Sequence, residues 1–245
     1  MVKLSVNINK IATVRNSRGG RVPSVLDAVG TCVAAGAPGI TVHPRADARH
    51  ITAGDVRDIA HELAPLRGRV ELNVEGDPRA EFVALLEEVR PDQCTLVPVR
   101  PGEITSQAGW SASTRSGALV DAIARCRGAG IRVSLFVDPE DEPIRWAAST
   151  GAQRVELYTE PFARAFEAGD AAARASFDTY AKAARLAASL GLAVNAGHDL
   201  DLDNLVLFRG LPHLAEVSIG HALVSHALFV GLDRSVRDYL QALAG

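Results

Sequence analysis

The chain has 245 residues, of which 47% are hydrophobic, and a formal net charge of −3. This length allows a normal buried core, and the near-neutral charge gives no electrostatic reason to expect binding to nucleic acid or to an anionic membrane surface. No run of about 18 apolar residues is present, so no transmembrane helix is expected. The three scattered cysteines indicate reduced thiols in a cytoplasmic protein.

Eight segments have the pattern of a β-strand. In order, they are residues 4–8, 39–43, 70–75, 93–98, 131–138, 154–159, 192–196 and 214–219. Pro44 follows the second strand and has no N–H group for a sheet ladder, so that strand should stop at His43. Pro98 and Pro139 end the fourth and fifth strands in the same way.

Helical patterns alternate with these strands. They cover residues 23–36, 55–66, 79–89, 117–127, 142–150, 170–190, 202–208 and 221–243, and Thr52 is the expected cap of the second. This alternation predicts a parallel sheet, and eight such units in one domain over residues 1–245 predict an α/β fold, a closed (β/α)8 TIM barrel. The main alternative, an open doubly wound sheet, usually has a glycine-rich turn after its first strand, which this chain lacks.

Polar and charged residues cluster where the predicted strands end. They are Asn7, Asn9, Lys10, His43, Arg45, Glu75, Asp138, Glu156, Thr159, His198, Asp199 and His221. Active sites of such barrels lie at the carboxyl ends of the strands. Histidine and glutamate there suit proton transfer near neutral pH, while arginine suits phosphate oxygens.

Four of the candidate residues also have a structural interpretation. His43 could be bonded to a neighbouring loop, and Glu75 taken alone could cap the helix that follows it. Glu156 could form a salt bridge, and Arg18 could be a solvated loop charge. The residues alone leave both interpretations open.

Seven stretches, in this order, resemble the pyridoxine 5'-phosphate synthase family. They are residues 6–19 (VNINKIATVRNSRG), 39–51 (with GITVHPR and RHI), 73–76 (NVEG), 96–98 (LVP), 133–136 (VSLF), 194–198 (VNAGH) and 219–222 (IGHA). The resemblance implies a (β/α)8 barrel with additional helices, assembled as a homo-octamer. It also implies a transferase-class enzyme that needs no metal and no organic cofactor. The reaction condenses 3-amino-2-oxopropyl phosphate with 1-deoxy-D-xylulose 5-phosphate to pyridoxine 5'-phosphate, releasing inorganic phosphate and water.

The resemblance also implies roles for individual residues. The acid–base groups would be His43, Glu75 and His198, and Glu156 would support charge that develops in the transition state. The aminoketone phosphate or the product would be held by Asn7, Arg18, Asp199, Gly220 and His221. The deoxyxylulose phosphate would be held by Arg45, His50 and Thr105.

The chain departs from the family pattern at two places. Some members have Asp-His where this chain has Asn9 and Lys10, so we expect these two residues to be contacts rather than proton carriers. Some members have glycine where this chain has Asp199, which would bind through either its backbone or its carboxylate.

Two other functions compete with this interpretation. A metal-dependent barrel enzyme could use His43, Glu75, His198 and His221 as ligands, although the adjacent arginines would repel a cation. A phosphometabolite-binding protein could have kept the barrel without the chemistry, although the acid–base groups are all present.

Overall fold

Eight parallel strands close into a barrel in sequence order in the computed structural model, which describes residues 1–98, 108–114 and 116–245. The strands are β1 Lys3–Asn7, β2 Gly39–Val42, β3 Glu71–Gly76, β4 Gln93–Leu96, β5 Arg132–Val137, β6 Arg154–Leu157, β7 Ala193–Ala196 and β8 Leu214–Ile219. Pairing of β1 with β8 completes the ring. The predicted (β/α)8 barrel is therefore confirmed, and the open-sheet alternative is wrong.

Helices surround this barrel, and among the described residues three strands are each followed by two of them. The helices are α1 Asn9–Asn16, α2 Val25–Ala34, α3 Ala53–Leu63, α4 Ala80–Val89, α5 Gly117–Gly128, α6 Asp141–Ser149, α7 Glu160–Glu167, α8 Asp170–Ser189, α9 Leu205–Phe208, α10 His221–Val230 and α11 Leu232–Ala244. The doubled helices follow β1, β6 and β8. They confirm the prediction of additional helices.

The sequence patterns did not predict α1, α7 or the division between α10 and α11. Helix α1 has Ile8 at its N-cap and no capping side chain, so its start carries no sequence signal. Helix α7 has Pro161 in its first turn, a common helix-start signal that the prediction overlooked. Gly231, with φ of 87°, ends α10 and begins α11.

The predicted cap at Thr52 is confirmed and helps to hold the loop after β2. Thr52 and Asp55 form a reciprocal capping box at the start of α3. The Arg15 guanidinium from α1 donates to both carboxylate oxygens of Asp55, at 2.5 and 2.9 Å. The Asn16 amide donates to the His50 carbonyl oxygen at 2.9 Å. The ends of β1 and β2 are thereby fixed to each other outside the barrel.

Side chains alternate between the two faces along the strands, with one register shift at Val194 and Asn195 where β7 pairs with β8. Outward positions such as Leu4, Val74 and Leu135 are apolar and fully buried against the helices. Inward positions are mainly polar, unlike the branched apolar residues that usually fill such barrels. They include Ser5, Thr41, Asn73, Gln93, Thr95, Ser134, Glu156, Asn195 and Glu216. The apolar core therefore lies between sheet and helices, and the barrel interior forms a polar floor beneath the strand ends.

In the part of the chain that the structure describes, no helix combines the length and apolar character that crossing a membrane requires.

Candidate active site

Most of the residues predicted for the site line one cavity of about 490 Å³ at the carboxyl ends of the strands. These residues are Asn7, Asn9, Lys10, His43, Arg45, His50, Glu75, Glu156, His198, Asp199, Gly220 and His221. A larger cavity of about 600 Å³ lies beside the loop between α1 and α2, and none of the predicted acid–base groups lines it.

One predicted residue is not found in this cavity, and another cannot be placed relative to it. Arg18 lies exposed in the turn after α1 and does not line the cavity wall. Thr105 lies outside the described residues. The wall also contains residues that sequence reasoning did not select, namely Thr13, Arg49, Val97, Phe136, Gly197 and Ser218. The alternation of β5 and β8 could have indicated Phe136 and Ser218, because both occupy inward positions close to a strand end.

His43 is held in place by its backbone. Its N–H donates to the Asn9 side-chain oxygen at 2.9 Å, and the Asn9 N–H donates to the Asn7 side-chain oxygen at 3.1 Å. The Arg79 guanidinium donates to the Pro44 carbonyl oxygen at 2.8 Å. Asn9, at the start of α1, and Arg79, before α4, therefore fix the two residues that directly follow β2.

His43 and Glu75 form a buried acid–base pair. His43 Nδ1 lies 3.9 Å from Glu75 Oε2. Burial, with the nearby charges of His50, Arg45 and Arg79, lowers the pKa of His43 to about 3. Burial, with the carboxyls of Glu156 and Glu216, raises the pKa of Glu75 well above its ordinary value. The free site therefore contains a neutral imidazole beside a neutral carboxylic acid, and Glu75 does not cap α4, whose N-cap is Arg79.

The Glu156 carboxyl lies on the polar floor of the cavity and is 6% exposed. Burial and the Glu216 carboxyl raise the pKa of Glu156 to about 8, while a hydrogen bond from Thr95 opposes the shift. Glu216 accepts from the Gln93 amide at 3.2 Å and lies 3.7 Å from the Arg154 guanidinium. Glu156 is therefore mainly a carboxylic acid at neutral pH and can donate a hydrogen bond.

Cationic and donor groups line the wall beside His43. The Arg45 guanidinium lies 3.5 Å from an Asp47 oxygen, and that of Arg49 lies 2.6 Å from it. The Ile51 N–H donates to Nδ1 of His50 at 2.9 Å. Burial and nearby arginines lower the pKa of His50 to about 4, so its ring is neutral with the proton on Nε2. This wall thus presents N–H donors suited to phosphate oxygens.

Across the cavity, His198 is held by the loop after β7 and the end of β6. The Thr159 hydroxyl donates to the His198 carbonyl oxygen. The ring of Tyr158 contacts the imidazole edge-on, with centroids 5.2 Å apart. His198 Nδ1 lies 2.8 Å from Asp199 Oδ2. Three neighbours thus hold His198, two at its ring and one at its backbone, after a strand that lies three places around the barrel from β2.

Two glycines allow close approach of neighbouring strand ends at this side of the mouth. A Cβ atom on Gly220 would lie 3.0 Å from the backbone oxygen and Cβ of Asn7, and one on Gly197 would lie 2.0 Å from the Ser218 carbonyl oxygen. Helix α10 begins directly after Gly220, without a capping side chain. Its first N–H groups therefore lie at the cavity edge, as in many anion sites.

Within residues 1–98, 108–114 and 116–245, no three His, Cys, Asp or Glu side chains are arranged to hold a metal ion.

Comparison with known proteins shows the family and the fold of this chain. Residues 4–245 match the family model described as pyridoxal phosphate biosynthesis protein PdxJ. The chain is 52% identical over 244 residues to pyridoxine 5'-phosphate synthase of Bacteroides fragilis, covering 99% of this chain and 100% of the relative. It is 49% identical to the enzyme of that name from Porphyromonas gingivalis, with all of both chains covered. Thiamine phosphate pyrophosphorylase of Pyrococcus furiosus has the same fold, with a TM-score of 0.61 at 14% identity, covering 99% of this chain and 96% of its own.

Proposed function

The chain belongs to the family of pyridoxal phosphate biosynthesis protein PdxJ, and from this membership we propose how the cavity carries out the reaction. The activity is that of a pyridoxine 5'-phosphate synthase. The enzyme condenses 3-amino-2-oxopropyl phosphate with 1-deoxy-D-xylulose 5-phosphate. An amine and a ketone first form a Schiff base, and proton transfers then drive loss of phosphate and water and close the aromatic ring.

One observation carries the proposal for the site. His43, Glu75, Glu156 and His198 come from the ends of four different strands, and all four line the same cavity. Every step of a condensation and ring closure needs a proton placed or removed, and each positioned group is typically worth about 10²–10⁴-fold in rate. The cavity supplies two imidazoles and two carboxyls for this purpose.

In this proposal, His43 and Glu75 exchange protons with the substrate as a unit. A neutral imidazole accepts a proton from carbon or nitrogen, and a neutral carboxylic acid gives one to a leaving oxygen. The 3.9 Å separation of Nδ1 and Oε2 is longer than a hydrogen bond, and such catalytic contacts often tighten when substrate binds. His43 Nε2 is buried and has no hydrogen-bond partner in the described part of the protein, so a substrate would satisfy it.

Glu156 and His198 complete the proposed acid–base set. A protonated Glu156 would donate a hydrogen bond to an oxygen that gains negative charge, as neutral carboxylic acids do in other buried sites. His198 would act on the opposite face of the bound molecules. The raised pKa of Glu156, to about 8, keeps this donor available at neutral pH.

Two phosphate groups need two binding regions, and the cavity offers two. We assign the deoxyxylulose phosphate to Arg45 and His50, with Arg49 and Lys10 beside them. The role of Thr105 at this phosphate is proposed from the family resemblance alone. The role of Arg18 at the aminoketone phosphate rests on the same resemblance. The aminoketone phosphate is assigned to the start of α10, where Gly220 and His221 lie next to Asn7. The first region contains guanidinium groups and the second contains backbone N–H groups, both of which bind phosphate.

Assembly and location are further parts of the proposal. A homo-octamer is expected from the family resemblance, and exposed apolar side chains support contact with other copies. Phe229 is 89% exposed and Leu228 is 75% exposed at the end of α10. The three cysteines are free and buried, which agrees with a reducing compartment such as the cytoplasm.

The site is tested by an assay of the two substrates with a chelator present, in which formation of pyridoxine 5'-phosphate is followed. We expect His43→Asn to lower kcat by about 10²–10⁴-fold, because the variant cannot accept the proton. His213→Asn is the matched control. His213 lies exposed in the loop before β8, outside the cavity wall, and its φ of 61° is tolerated by asparagine.

Equal activity of His43→Asn and the control would contradict the role of His43. Phosphate binding without product from folded wild-type enzyme would favour the binding-protein alternative, and activity lost only with the chelator would favour the metal alternative.

A further inference from the structure

The pair formed by His198 and Asp199 has a geometry that substrate binding alone does not explain. Asp199 Oδ2 lies 2.8 Å from His198 Nδ1, which is the distance of a charge-assisted hydrogen bond. Both residues line the cavity. The carboxylate is thus directed at the imidazole of the preceding residue, and one of its oxygens is already engaged.

The backbone of Asp199 is held in a conformation that favours this contact. Its φ is 61°, in the left-handed region that residues with a Cβ atom rarely adopt and that aspartate tolerates better than most. The Asn204 amide donates to the Asp199 carbonyl oxygen at 3.1 Å, and the Leu200 N–H donates to that of Gly197 at 3.2 Å. With Thr159 bonded to the His198 carbonyl, hydrogen bonds hold the turn on both sides of the pair.

The surroundings of the pair favour a charged carboxylate. The hydrogen bond from His198 is the main cause of a lowered pKa of Asp199, and the charges of His198, His221 and Lys10 act in the same direction, against burial. On the other side, Tyr158 contacts the imidazole edge, and the acidic groups near that tyrosine are Glu160 and Asp138. Asp199 is therefore an anion at neutral pH, with Lys10 on α1 and His221 on α10 among its neighbours.

We propose that Asp199 is a positioning residue that acts through His198, so that the two side chains work as an acid–base dyad. The carboxylate holds the proton of the neutral imidazole on Nδ1, which leaves Nε2 as the nitrogen that exchanges a proton with the substrate. It also balances the positive charge when the imidazole is protonated, as the carboxylate does in other dyads and triads. This inference rests on the proposed role of His198.

The alternative is that the Asp199 carboxylate binds a substrate directly. A carboxylate repels a phosphate, and the phosphate region at the start of α10 is supplied by N–H groups instead. A carboxylate could pair with the substrate amine, but the contact seen here is with the imidazole. The two roles predict different kinetics, because a binding residue changes KM and a residue acting through His198 changes kcat.

The experiment compares Asp199→Asn and Asp199→Gly with His198→Asn and with Asp238→Asn. Asparagine and glycine both tolerate the left-handed backbone, so neither variant strains the turn. Asp238→Asn is the matched control, because Asp238 lies 3.0 Å from Nε2 of His226 on the outer helices, away from the cavity. Steady-state kcat and both KM values are measured, together with the ¹⁵N chemical shifts of the His198 ring, which report its tautomer.

We expect both Asp199 variants to lower kcat by about ten- to a hundredfold, less than complete loss of an acid–base group, with both KM values within about twofold of wild type. The proton of neutral His198 should be found on Nδ1 in the wild type and should shift toward Nε2 in Asp199→Asn. Asp238→Asn should leave kcat and the His198 shifts unchanged.

Three results would overturn the dyad. One is an unchanged kcat in Asp199→Asn while His198→Asn is inactive. His198 would then keep its role, but Asp199 would not act through it. Another is a rise in the aminoketone KM at constant kcat, which would make Asp199 a binding residue. The third is a wild-type ring protonated on Nε2. Full activity of His198→Asn would instead show that the proposed function of His198 has failed.

Discussion

Two histidines lie across the mouth of the barrel, and their surroundings are opposite in charge. His43 is 8% exposed, with the cationic groups of Arg45 and Arg79 nearby, and its acidic neighbour Glu75 is held in the neutral form. His198 has the charged carboxylate of Asp199 at 2.8 Å. We call these the His43 side and the His198 side of the cavity.

The difference indicates that the two histidines have different roles in proton transfer. A histidine among cations, with a low pKa, is neutral before the reaction, and it becomes a stronger base when an anionic substrate balances those cations. A histidine beside an anion is suited to carry a positive charge and release a proton later. A reaction that needs both removal and delivery of protons benefits from having the two on opposite faces of the substrate.

The largest expected effect is on the His43 side. Glu75→Gln keeps the shape of the side chain but has no proton to exchange, so kcat should fall by about 10²–10⁴-fold. Glu88→Gln, on the exposed face of α4, is the control and should change kcat little, because it breaks only a surface ion pair with Arg57. Stopped-flow and steady-state rates measure both. Glu75→Gln with near wild-type kcat would remove the distinction between the two sides.

The next effect concerns Glu156, on the floor between the two sides. Its pKa of about 8 means that the carboxylic acid is lost as pH rises through that value, so kcat should decline above about pH 8. Glu156→Gln is a neutral donor at every pH and should remove this decline, with kcat at pH 7 within about tenfold of wild type. A pH–rate profile unchanged in the variant would show that Glu156 does not titrate in catalysis.

The same carboxyl should affect stability. Because its folded pKa of about 8 lies above the ordinary 4.5, the folded state holds the proton more strongly than the unfolded chain does. Its contribution to stability is therefore greatest below about pH 4.5 and declines as pH rises through about 8. The Tm of Glu156→Gln minus the Tm of wild type should therefore be larger at pH 9 than at pH 6. A constant difference between these pH values would contradict the raised pKa.

A smaller effect is expected from Arg79, which contributes a positive charge to the His43 side and also binds the Pro44 carbonyl. Arg79→Gln removes the charge, so the pKa of His43 should rise from about 3. We expect a loss of kcat of about threefold to tenfold, the scale of one hydrogen bond. Arg57→Gln, on the outer face of α3, is the control. Titration of the His43 ring by NMR measures the pKa, and an unchanged value would contradict the charge argument.

A feature of this molecule can be predicted from the sequence when it depends on neighbours in the chain. It cannot when it depends on residues that only folding brings together. The strands and the residues near their ends follow from local patterns, because a proline such as Pro44 has no N–H group for the sheet ladder. The neutral state of Glu75 could not be predicted, since it depends on carboxyls more than 80 residues away along the chain, Glu156 and Glu216. Helix α1 could not be predicted either, because Ile8 at its N-cap provides no capping side chain.

The sequence contains a period-two alternation of apolar and polar residues that corresponds to the polar interior of the barrel. Leu4-Ser5-Val6-Asn7 alternates apolar and polar residues, and so do residues 71–75 and 132–135. The strand pattern was recognised, but which face is inside depends on barrel closure. A single strand does not contain that information, because its two faces become distinct only when eight strands meet.

The smallest expected effects compare the backbone contacts that fix each histidine. Asn9 accepts from the His43 N–H at 2.9 Å, and Thr159 donates to the His198 carbonyl. Asn9→Ala and Thr159→Val each remove one of these bonds, so each should lower kcat by about twofold to tenfold, the range of one hydrogen bond. If His43 is the more tightly constrained, Asn9→Ala should have the larger effect, since Thr159→Val leaves the Tyr158 and Asp199 contacts to hold His198. A larger loss in Thr159→Val would mean that orientation limits the reaction on the His198 side instead.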